Sequence, residues 1–222
     1  MNPFALTHFS YFDAQDEQRQ DAALIINQGH IERWVDVHDV PSTLHQVDAQ
    51  GLLLTAGLID IQVNGGGGVM LNSTPNIKAL EVMRRAHWSG GTTAMLPTLI
   101  TDTVEVMSQA VDAVAQGMES LAGILGIHLE GPHLNSNKRG VHDSQKIRPL
   151  DSSTTQLLTR MPPECYLLTV APEQLPLGTI RGWVEQGIRV SAGHTLATYE
   201  QTKAALGEGL SGFTHLYNAC LL

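Results

Sequence analysis

Residues 92–130 read TTAMLPTLITDTVEVMSQAVDAVAQGMESLAGILGIHLE, and their patterning decides the fold. Two apolar runs, Thr92–Leu96 and Ile124–Leu129, bracket the segment Thr103–Ser120, where Val104, Met107, Val111 and Val114 recur at helical spacing. Strand, amphipathic helix and strand in that order make a parallel βαβ unit. The pattern extends outward on both sides. Further strands are predicted at Leu58–Val63, Tyr166–Val170, Arg189–Ala192 and Gly212–His215. Helices are predicted at Asn76–Ser89, Leu177–Gln186 and Thr198–Leu206, with Ser153–Arg160 the best candidate between the third and fourth strands. The fold class is therefore α/β, an incomplete (β/α)8 TIM-type barrel of about six βα units where a closed barrel needs eight. Gly65-Gly66-Gly67-Gly68 follows the first strand without the spacing and acidic partner of a dinucleotide loop, and reads as a flexible turn.

Residues 1–52 read as a separate small β domain, with residues 53–222 forming the barrel. Ala22–Asn27 and His30–Val35 flank Gln28-Gly29 as a hairpin, and Gly51–Leu54 is a further β-like run. At 42% hydrophobic and 16% charged the chain has the composition of a globular protein with a substantial core. A net charge of -9 without blocks of one sign argues against a nucleic-acid surface. No apolar run reaches the ~18 residues of a membrane span. The first twenty residues lack the basic-then-apolar pattern of a signal peptide, and the two cysteines, Cys165 and Cys220, make no disulfide framework. A cytoplasmic setting is expected.

Active sites of (β/α) barrels gather at the C-terminal ends of the strands. The first predicted strand ends in Asp60-Ile61-Gln62-Val63-Asn64, the third in His128-Leu129-Glu130-Gly131-Pro132, the fifth in Ser191-Ala192-Gly193-His194 and the sixth in Thr214-His215-Leu216-Tyr217-Asn218. Taken singly, Glu130, His194 and His215 read as rim residues with hydrogen-bond partners. Converging from three strands, they match a catalytic metal set of two imidazoles and a carboxylate with a position left for water. The polar loop His133–His142 leaves the same rim. His142 can donate to a carbonyl oxygen as charge develops on it, although the loop also reads as an ordinary solvated basic segment.

These stretches resemble the amidohydrolase superfamily and, within it, the N-acetylglucosamine-6-phosphate deacetylase family. The resemblance is carried by Leu54–Gly65, Leu96–Thr101, Gly126–Pro132, Val190–Thr195 and Thr214–Ala219, in the family's order and spacing. It implies a β-sandwich-like domain beside a metal-dependent barrel. The implied reaction is hydrolysis of the acetamide of N-acetylglucosamine 6-phosphate, by a metal-activated water, to glucosamine 6-phosphate and acetate. Carried across, Glu130, His194 and His215 match the metal ligands, Val141 and His142 the loop meeting the sugar and its acetyl carbonyl, and Asn218 and Ala219 a turn whose backbone holds substrate. Many amidohydrolases carry His-x-His where Gln62 and Asn64 stand here, so one divalent metal ion, zinc, is expected. The family continues for two more strands, with phosphate-binding residues and a catalytic aspartate, and its full-length members tend to dimerise. A truncated chain of weak or no activity is thus expected. The alternatives are an amidohydrolase acting on a cyclic amide, or a remnant that binds metal or sugar phosphate without turnover.

Overall fold

The computed structural model describes residues 2–220. The chain divides into two compact units, Met1–Ala56 and Gly57–Leu222. The first holds β1 (Phe4–Thr7), β2 (Tyr11–Phe12), β3 (Gln18–Arg19), β4 (Ala22–Asn27), β5 (His30–Asp36) and β6 (His45–Asp48). Its four-stranded sheet has the order β5-β4-β1-β6, and β2 and β3 form a separate ribbon. Gln28 and Gly29 both take positive φ, 50° and 82°, so the β4–β5 hairpin turns as its sequence predicts. Phe9, Ala22 and Leu24 form the buried centre of this unit, with Leu6, Tyr11 and Ile26 packed against them. The Gly51–Leu54 run is not a strand. Leu53 makes an isolated bridge to Ser10, and Leu52 and Leu54 bond to the Ser10 backbone.

The second unit carries β7 (Leu58–Val63), β8 (Gly65–Gly66), β9 (Val69–Met70), α1 (Ile77–Trp88), β10 (Thr92–Ile100), α2 (Val104–Ser120), β11 (Ile127–Glu130) and α3 (Ser152–Leu157). It continues through β12 (Tyr166–Val170), α4 (Thr179–Glu185), β13 (Arg189–Ala192), α5 (Tyr199–Gly207) and β14 (Gly212–Phe213). Six strands form one sheet in the order β14-β13-β12-β11-β10-β7, every adjacent pair parallel. Each strand lies beside its predecessor, with no reversal of order. A doubly wound sheet reverses at its switch point, whereas a barrel adds strands in sequence. The sheet is a curled half-barrel.

Three strand ends differ from the expected ones. β10 continues through Pro97 to Ile100, with a register shift between Met95 and Pro97 against β7. The shift accommodates a residue that lacks a ladder N–H. β11 begins at Ile127 rather than Ile124, which makes only an isolated bridge to Met95, and includes Glu130. β14 stops at Phe213, because His215 turns to φ 56°. Gly65–Gly68 forms the short β8–β9 hairpin, turning through Gly67 and Gly68 at positive φ.

Helix starts follow side-chain chemistry. Asn76 accepts from the Ala79 N–H at 3.0 Å to cap α1, and Thr198 and Gln201 form a reciprocal capping box on α5. α2 buries Met107, Ala110, Val111, Ala113 and Val114 in a core shared with Leu80 and Met83 of α1 and with Met95, Leu99, Ile127 and Leu129 of the sheet. The strand period of two then sends His128 and Glu130 to the opposite, concave face. At Gly182, within α4, the place that a Cβ would take has no atom within 4 Å, so Gly182→Ala is expected to stabilise by about 0.5–1 kcal/mol through helix propensity. Thermal melting should rise by roughly 2 °C, and a fall would show that α4 does not tolerate even a methyl there. Among the described residues no helix is long and apolar enough to cross a membrane.

Candidate metal centre

Glu130 is the last residue of β11 and is 2% exposed. Its Oε1 lies 3.0 Å from His194 Nε2 and 2.9 Å from His215 Nε2, and the Gln62 amide donates to its Oε2 at 3.1 Å. One ligand atom from each of Glu130, His194 and His215 falls within 4.8 Å of the others. The two histidines follow β13 and β14 by two residues each, and both take left-handed backbone, φ 51° and 56°. That conformation turns each ring back over the sheet's end; outside glycine, histidine is among the residues that adopt it more readily.

Hydrogen bonds fix which nitrogen of His194, and of the neighbouring His142, carries a proton. His194 Nδ1 is 2.9 Å from the Lys138 carbonyl, which can only accept, so Nδ1 donates. In the neutral ring, Nε2 then presents a lone pair to a carboxylate oxygen 3.0 Å away. Acceptor faces acceptor there, and a cation or a proton must lie between them. This donor set fits a divalent ion: its ligand atoms lie within 4.8 Å of one another, and the carbonyl behind the His194 imidazole holds the tautomer that coordination requires. Without an ion a proton serves. Burial lowers the His194 pKa, but the Glu130 and Lys138 hydrogen bonds outweigh it and raise the group overall. Burial likewise opposes ionisation of Glu130, and the His194 hydrogen bond overrides it to hold that carboxyl at about 2.

His142 has the opposite arrangement. The Thr101 backbone N–H donates to its Nδ1 at 3.2 Å, so the neutral ring carries its proton on Nε2. That N–H faces the cluster, 4.0 Å from Glu130 Oε1, and the ring meets His194 edge-on with centroids 4.4 Å apart. His142 is 1% exposed, and burial depresses it to about 4, so the ring is neutral near pH 7. The structure thus brings together Glu130, His194, His215 and His142, with Gln62 beside them. Val141, 85% exposed, points away into solvent. The N–H groups of Asn218 and Ala219 both donate to the His215 carbonyl, at 2.8 and 2.9 Å, so this turn is closed on itself.

The sequence did not point to the supports. Thr101 and Lys138 act through a backbone N–H and a backbone carbonyl, groups that any residue but proline supplies. A fourth imidazole, His128, lies deeper on the concave face. Its Nδ1 donates to the Ile61 carbonyl at 3.1 Å and its Nε2 meets Thr169 Oγ1 at 2.7 Å. Burial pushes it down to about 4, and its nitrogens are committed to these partners. A cavity of about 520 Å³ runs along this face between Gln62 and His215 at one end and Cys165 and Arg189 at the other.

No protein-family model matches the chain. It is 47% identical over 166 residues to an N-acetylgalactosamine-6-phosphate deacetylase of Shewanella sp. (strain ANA-3), covering 74% of this chain and 42% of that protein. It is 36% identical over 217 residues to the N-acetylglucosamine-6-phosphate deacetylase of Haemophilus influenzae, covering 97% and 57%. The crystal structure of N-acetylglucosamine-6-phosphate deacetylase from Pasteurella multocida superposes with a TM-score of 0.90 at 36% identity, over 98% of this chain and 57% of that one. The chain spans about half the length of the curated relatives it matches. In sequence and in fold, this chain is similar to about half of an N-acetylglucosamine-6-phosphate deacetylase.

Proposed function

We propose that the chain carries the metal centre of an N-acetylhexosamine-6-phosphate deacetylase, which hydrolyses the acetamide to a hexosamine 6-phosphate and acetate. The observation that carries this reading is the opposite protonation of two adjacent imidazoles: His194 presents a lone pair and His142 an N–H toward one carboxylate. The first arrangement takes a cation and the second takes a carbonyl oxygen. Glu130, His194 and His215 would hold one zinc ion, which when bound polarises the acetamide carbonyl and acidifies a water. His142 Nε2–H donates to the acetyl oxygen as negative charge builds on it. His142 and the exposed Val141 meet the sugar from the loop after β11, and Asn218 and Ala219 meet it from the turn after His215 once their N–H groups leave the His215 carbonyl. Gln62, in place of an imidazole, steadies Glu130 Oε2 rather than holding a second ion. The same reading carries a cytoplasmic setting and a small sugar phosphate, not a nucleic acid or membrane, as partner.

Proton delivery to the departing amine needs a further acid. Among the described residues no aspartate hydrogen-bonds to Glu130, His142, His194 or His215. For the 222-residue polypeptide alone, zinc-dependent acetate release is therefore expected at about 10²–10⁴-fold below the rate of a full-length deacetylase. Release at the full-length rate would overturn that expectation. Zinc-dependent release from neither sugar phosphate, with zinc bound, would overturn the deacetylase reading. The 47% identity to the Shewanella protein favours a second reading of the sugar, N-acetylgalactosamine 6-phosphate. Assaying both epimers side by side separates the two.

A further inference from the structure

We propose that Glu173 is a positioning residue for His194, holding that imidazole's lone pair on the metal position; this rests on the metal reading above. Glu173 sits on the short turn Pro172–Gln174 just past β12, between the strands that deliver Glu130 and His194. Its carboxylate accepts from both neighbouring loops. Oε1 takes the Asn135 amide at 2.9 Å and the Leu196 N–H at 2.7 Å, and Oε2 takes the Thr195 hydroxyl. Thr195 and Leu196 directly follow His194.

The connection to the ring runs through Asn135. Because its Nδ2 is drawn to Glu173, its Oδ1 faces the other way and accepts the Asn137 N–H at 3.0 Å. That bond starts the single turn Ser136–Lys138, which the Lys138 N–H closes on the Asn135 carbonyl at 2.9 Å. The last carbonyl of that turn, on Lys138, is the one that accepts His194 Nδ1–H. Asn135 also ties the two loops directly, its N–H donating to the His194 carbonyl at 2.9 Å. Glu173 therefore acts twice. It grips the backbone just after a residue in left-handed conformation, and it sets the amide orientation on which the tautomer-fixing carbonyl depends. Asn135 and Thr195, 9% and 4% exposed, have little water to replace a lost partner.

Glu173→Gln keeps the shape but offers one acceptor oxygen in place of two. Groups behind a metal ligand commonly change metal affinity by about 10–100-fold when removed. We expect that loss in Glu173→Gln, and a smaller one in Thr195→Val, measured by zinc titration against a chelating indicator. Asp151→Ala, which removes the cap of α3, serves as a control for general destabilisation and should bind zinc like the parent. Parental zinc affinity in Glu173→Gln would overturn the proposal, as would an equal loss in Asp151→Ala. Should Glu173→Gln not fold, Thr195→Val decides alone, and parental affinity there overturns the proposal. A parent chain that binds no zinc overturns the metal centre itself, a result distinct from any difference between variants.

Discussion

Replacing His194 with Ala is expected to abolish tight zinc binding, by at least about 100-fold, because a ligand contributes more than the outer groups worth 10–100-fold. His30→Ala, on β5 of the other unit, is expected to leave binding unchanged. Equal zinc retention in the two variants would remove the site from Glu130, His194 and His215. The pH dependence has a definite sign. Glu130 raises the proton affinity of His194, and an incoming cation must displace that proton. Zinc affinity should therefore fall as pH drops below the raised histidine value, and His194→Ala should lose that contribution to the slope.

Gly126→Ala is expected to be the most damaging methyl in the chain. Gly126 precedes β11 at φ 153°, and a Cβ there would lie 2.0 Å from the Cys165 carbonyl oxygen and 2.8 Å from its carbon. Both are backbone atoms leading into β12, so no rotamer change relieves the clash. Either β11 leaves its register beside β12 or the variant stays unfolded. Losses of this kind exceed about 4 kcal/mol, a large share of the 5–15 kcal/mol that holds a domain together. Melting should fall by on the order of 10 °C or soluble protein should vanish. A variant melting within about 2 °C of the parent would mean that the close approach of Gly126 to Cys165 is not present in solution.

The strands and helices of the half-barrel were legible because each is an apolar run or a helical stripe facing one core. Their ends were less so. The reach of β10 through Pro97 depends on a register shift against β7, and the late start of β11 depends on the Gly126 approach, which are properties of pairs of strands. At the site, Glu130, His194 and His215 were legible as polar residues closing apolar runs, and His142 as the imidazole ending a long loop. What decides their chemistry was not. The protons on His194 and His142 are set by a carbonyl of Lys138 and an N–H of Thr101, groups every residue possesses and sequence cannot single out. The family resemblance implies that the backbone of Asn218 and Ala219 holds substrate, and in this structure their N–H groups bond to the His215 carbonyl.

The left-handed backbone at His194 and His215 also restricts how the proposed centre can be redesigned. Aspartate and asparagine share histidine's tolerance of that conformation, whereas β-branched and bulky side chains do not. Exchanging either imidazole for aspartate would keep the chain path and shift the donor set toward oxygen, which suits harder ions such as manganese or magnesium. A thiolate design for softer ions starts from a residue without that tolerance. The loops after β13 and β14 thus favour one direction of change in ion preference over the other.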